Sequence, residues 1–158
     1  MRDLTPETSS ASEQIRLTVR GLGYAGAIPF IGCALAGWQD ITVAGLPADR
    51  LLLGYGAVIL SFLGGLHWGR IASAPADRPP PSAPLWLVWS VIPSLVGWAA
   101  LFMPAKPGAV FLSACFLLAL LLDLKLIREQ IWRAWMFSLR FHLTLAALAG
   151  LISMMVWI

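Results

Sequence analysis

Five apolar runs decide the solvent in which this chain folds. They cover residues 19–38, 51–71, 85–103, 108–127 and 135–158. A helix of 20 residues rises about 30 Å, the thickness of the hydrocarbon layer of a bilayer. Inside lipid every backbone polar group needs an internal partner, and a helix supplies one for each. Composition agrees: 59% of the 158 residues are hydrophobic and 12% are charged, with a mean hydropathy of +0.79. Soluble domains are about 45–50% apolar and about 25% charged. A core of this size cannot hide the excess, so a water-soluble domain and a disordered chain are both excluded. The expected fold is all-α, a five-transmembrane-helix bundle over 18–158 behind a polar, flexible N-terminal tail over 1–17.

The tail carries Asp3, Glu7 and Glu13 and lacks an early apolar core. It therefore reads as neither a transit peptide nor a cleaved signal peptide. The first run contains Gly21, Gly23, Gly26 and Pro29 and has the weakest insertion signal. The loop at 72–84 is dense in proline and reads as a stiff, helix-stopping spacer. Lys and Arg set the orientation. With the N-terminus inside, nine basic residues fall on inner segments, and two, Arg50 and Lys106, fall outside. The N-terminus is thus expected in the cytoplasm and the C-terminus outside. The net charge of +3 follows from this placement and not from nucleic-acid binding. Trp38, Trp86, Trp132, Trp135 and Trp157 fall near helix ends, where interfacial tryptophans belong.

Polar residues within lipid are costly, about 2.5–3.5 kcal/mol for Asp or Arg at a helix centre. Those present are His67 and Arg70 in the second run, Ser90 and Ser94 in the third, Asp123 in the fourth, and Arg140, His142 and Thr144 in the fifth. The topology puts all of them in the inner half of the membrane. The candidate polar cluster is His67, Trp68, Ser90, Ser94, Asp123, Arg140 and Thr144. Asp123 and Arg140 have opposite charge, similar depth and neighbouring helices, and they form an expected pair. That pair is either structural or part of a cytoplasm-facing pocket, and interfacial placement by snorkelling is the third reading. At 100° per residue, Arg140 and Thr144 share one face, and His142 lies nearly opposite with Ala146, Ala149 and Ser153. Those small residues are expected at a close helix contact, as are Gly64, Gly65 and Gly69 on the second helix and Gly97 on the third.

His67 and His142 at comparable depth allow a b-type haem as a minor alternative; otherwise no cofactor is expected. Cys33 and Cys115 sit inside apolar runs without metal-ligand spacing. No P-loop, nucleophile elbow, HExxH or paired carboxylate occurs, so no catalytic residue and no metal site are expected, nor is an enzyme. The outer half has no chain of titratable groups, which argues against proton or ion transport.

Several stretches together resemble a family of small, uncharacterised integral-membrane proteins that includes mitochondrial transmembrane protein 69. They are GYAGAIPF at 23–30, LSFLGGLHWG at 60–69, SVIPSLVGW at 90–98, Asp123 after an apolar run, and LRFHLT at 139–144. The family pattern falls on Ser61, Gly64, Gly65, His67, Trp68, Gly69, Pro93, Ser94, Trp98, Asp123 and Arg140. The resemblance implies a multi-pass protein of a bacterial inner membrane and assigns no catalytic role. The leading expectation is a non-enzymatic accessory or assembly factor, partnered by another integral membrane protein or complex. The alternatives are a binder of a small lipid-soluble ligand such as haem, quinone or lipid, and a small transporter.

Overall fold

A computed structural model describes the backbone of residues 6–75, 77, 82–128 and 134–158, with side chains except over 6–11 and at 134. The expectations for Pro79, Pro80, Pro81 and Trp132 lie outside the described residues. Among the described residues six helices follow one another: α1 (Pro6–Ala25), α2 (Ile28–Trp38), α3 (Ala48–Ala72), α4 (Ala83–Ala100), α5 (Ala105–Arg128) and α6 (Ala134–Trp157). They supply five spans long and apolar enough to cross a membrane, because α1 and α2 together make the first. The chain is a multi-pass membrane protein.

The first run is not one straight helix. Pro29 has no N–H to give to the carbonyl of Ala25, and α1 ends there. The Tyr55 hydroxyl of α3 donates to the Gly26 carbonyl at 2.8 Å and satisfies a group the break exposes. Neither piece alone is the span. The 11 residues of α2 rise only about 16 Å. The 27 residues of Ser12–Trp38 rise about 40 Å, roughly 10 Å more than the hydrocarbon layer. The surplus falls on the polar end, so α1 carries much of the segment read as a tail: it is helical from Pro6 onward.

Heptad-like stripes build the core. On α5 the buried positions include Ala109, Leu112, Phe116, Ala119, Asp123 and Leu126. On α3 they include Leu53, Gly56, Leu60, Leu63, His67 and Ile71. On α6 they include Arg140, Thr144, Ala147, Leu151 and Met154. Steps of three and four keep one face toward the neighbours, the geometry of left-handed helix packing. Phe30 of α2 closes the centre, edge-on to Tyr55 at 4.9 Å and to Phe116 at 6.1 Å between ring centroids.

The most extensive helix contact is between α3 and α4, and two glycines permit it. A Cβ on Gly64 would collide with the Ser90 carbonyl oxygen, and one on Gly97 would stand 3.0 Å from that of Ala57. Gly65 and Gly69 correct the expectation: they are exposed, and added Cβ atoms there would meet nothing within 4 Å. One residue along a helix turns the face by 100°, which separates Gly64 from Gly65. The small-residue face of α6 is corrected likewise. Ala149 is exposed and Ala146 half-buried, whereas Ala147 and Gly150 pack inward. A Cβ on Gly150 would lie 3.2 Å from the Phe30 carbonyl oxygen. Trp86 also departs from the interfacial reading. It is buried, and the Lys125 ammonium sits 5.4 Å from its ring centroid.

Candidate functional site

The stripes of α3, α5 and α6 each carry one ionisable residue near the same end of the bundle. His67 is five residues from the end of α3, Asp123 five from the end of α5, and Arg140 six from the start of α6. At 1.5 Å per residue each lies about 7–9 Å inside its helix end. Each continues an apolar stripe, so each points inward and the three meet.

Asp123 is the hub. His67 Nε2 donates to Asp123 Oδ1 at 2.9 Å, and Arg140 Nη2 stands 2.6 Å from Asp123 Oδ2. All three are buried, at 1%, 3% and 7% exposure. The arrangement gives one carboxylate oxygen a hydrogen bond and the other an ion-pair contact, and leaves no net charge when the imidazole is neutral. That is the condition for keeping a carboxylate and a guanidinium out of water. The expected Asp123–Arg140 pair is present, and His67 joins it through the opposite oxygen.

The remaining members of the expected cluster are elsewhere. Ser90 is buried, and its hydroxyl donates to the Leu87 carbonyl one turn back at 2.6 Å, at the α3–α4 contact. Ser94 is half-buried, and Trp68 is 50% exposed on the outer side of α3. Thr144 is buried one turn beyond Arg140 on the same face. His142 points outward, as its helical angle requires, and its Nδ1 is 3.2 Å from the Tyr24 hydroxyl. The two histidines thus occupy different surroundings, His67 inside against α5 and His142 outside against α1. Elsewhere, Trp89 Nε1 and Ser113 Oγ are buried without a hydrogen-bond partner among the described residues. Among the described residues no three His, Cys, Asp or Glu side chains are grouped to hold a metal ion.

A cavity of about 120 Å³ adjoins the cluster. Arg140 and Thr144 contribute to one wall, and Phe30, Leu63 and Phe116 are among the apolar residues that line it. Leu22 and Phe62 also line it and are 71% and 59% exposed, which places its mouth between α1 and α3. Arg140 is therefore shared between a buried ion pair and an apolar chamber. Sequence reasoning found Arg140 and Thr144 as one face but missed the chamber. Its aromatic wall comes from three separate helices, and only packing brings them together. The GYAGAIPF stretch, which supplies Gly23, Gly26 and Phe30 to the wall, was the available signal.

A family model described as "Protein of unknown function (DUF3429)" matches residues 15–156. Transmembrane protein 69 of Xenopus tropicalis is 34% identical over 140 residues, which is 85% of this chain and 52% of that protein. The chain thus spans about half the length of the curated relative it matches. No solved structure matches. The matched segment contains three of the five spans found among the described residues whole and all but the ends of the first and the last, together with His67, Asp123 and Arg140, and this membrane protein belongs to the DUF3429 family.

Proposed function

We propose that this protein binds a small lipid-soluble molecule in the chamber beside Arg140. One observation carries the reading. A buried guanidinium, neutralised by Asp123, lines an apolar cavity that opens sideways between two helices. Binding sites are typically concave and mostly apolar, with a few placed polar groups. In this reading the cluster lies toward the cytoplasmic side of a bacterial inner membrane with the C-terminus outside, an orientation that the distribution of Lys and Arg supports. The role is binding without catalysis.

The test is extraction. The protein, purified in mild detergent, is stripped with organic solvent, and the extract is compared by mass spectrometry with that of an unrelated protein of five spans. A molecule enriched in proportion to protein supports the reading. An extract with only bulk lipid, together with no saturable uptake of added apolar probes, refutes it.

A second reading, an accessory or assembly factor of a membrane complex, has its own support. Side chains from Ser12 to Leu22 of α1 are exposed on every side, including Ile15 at 66% and Leu17 at 57%. A helix end whose side chains are this exposed fits a partner protein. Reproducible recovery of one complex in affinity purification would favour it.

A further inference from the structure

The chamber restricts the chemistry of its occupant in three ways. Its volume is about 120 Å³. An apolar engineered cavity of about 150 Å³ binds benzene, so this smaller space holds at most one six-membered ring whose substituents extend through the open side, and not a large macrocycle. Its apolar wall includes three phenylalanines, Phe30, Phe62 and Phe116, from three different helices. Aromatic rings receive a flat ring through offset or edge contacts.

The third restriction is charge. The side chains that offer hydrogen bonds from the wall are Arg140 and Thr144, one helical turn apart. A guanidinium only donates, so the occupant must accept. Asp123, 2.6 Å from Arg140, already neutralises the guanidinium. An anionic head entering the chamber would add a negative charge with no compensation in an apolar surrounding, which is unfavourable. A neutral acceptor such as a carbonyl oxygen carries no such cost. The open side between Leu22 and Phe62 then lets an alkyl tail leave toward lipid.

We infer that the chamber between α1, α3 and α6 receives the neutral, carbonyl-bearing ring of a quinone-type lipid, with Arg140 and Thr144 facing its oxygen. The inference rests on the binding reading above and makes it specific. Gly26 and the break between α1 and α2 border the same chamber. The helical break of the first span thus lies at the wall of the site.

The experiment is photolabelling in phosphatidylcholine nanodiscs with an azido-ubiquinone, and competition by decylubiquinone, oleate and decylbenzene. These competitors present a neutral acceptor ring, an anionic head and a ring without acceptors. The expected result is labelling of peptides that contain Phe30, Phe62 or Thr144, removed by decylubiquinone at concentrations at least tenfold below those of the other two. Thr144→Val should weaken decylubiquinone competition about 2–10-fold, the worth of one hydrogen bond. Leu143→Trp, which fills the chamber, should abolish labelling in a protein that keeps its helical circular dichroism. If that variant does not fold, the competitor series and Thr144→Val decide alone. Equal competition by oleate or decylbenzene overturns the ring assignment and leaves the binding reading intact. Absence of saturable labelling by any probe overturns both. Labelling retained in a folded Leu143→Trp overturns the location.

Discussion

Removal of the Asp123 carboxylate tests the logic of the buried cluster most directly. At 2.6 Å from Arg140, its attraction is worth about 6 kcal/mol at an effective dielectric constant of 20. Desolvation of both charges offsets much of that in the intact protein. Asp123→Ala removes the attraction and leaves the guanidinium buried without its counter-charge, which costs about 3–5 kcal/mol. His67 also loses its acceptor on Oδ1. The same substitution at an exposed ion pair would cost about 0–1 kcal/mol. Arg140→Met alone should cost a similar amount, because it strands the carboxylate. The double variant Asp123→Leu/Arg140→Met removes both charges and fills the space with apolar atoms. It should recover at least half of the loss, since an apolar replacement of a buried pair is often neutral or better. The assay is a double-mutant cycle on thermal unfolding in detergent, with protein abundance in the membrane as a second readout. A coupling below about 0.5 kcal/mol would mean that the two side chains behave as independent sites. The buried-pair reasoning would then be wrong.

The remaining predictions concern packing and threading. Gly64→Ala should destabilise the protein by more than about 1 kcal/mol, because the new methyl meets the Ser90 backbone, which cannot yield as a side chain can. Gly65→Ala and Gly69→Ala, with open space around them, should be neutral or slightly stabilising in the same unfolding assay. A reporter fused after Ile158 should be active as periplasmic alkaline phosphatase and dark as a cytoplasmic fluorescent protein; the opposite pattern would invert the proposed orientation.

Periodicity and composition were enough for the environment, the number of spans and their approximate limits, because lipid imposes a minimum length and a demand for internal hydrogen bonds. The same rules made Asp123 and Arg140 stand out, since a charge in an apolar run has few explanations. They also put Arg140 with Thr144 and against His142, because a helix rotates by 100° per residue whatever it packs on. Which face of α6 turns inward was beyond them. Both faces carry residues that can pack, and the choice rests on the fit of Ala147 and Gly150 against neighbouring helices. Helical rotation puts Gly64 and Gly65 on different faces, and only the position of the Ser90 backbone decides which of them packs. His67 became a partner of Asp123 through the register of α3 against α5, 56 residues apart in sequence. The chamber arises in the same way. A void is the space that several helices leave between them, so no single stretch of sequence encodes it.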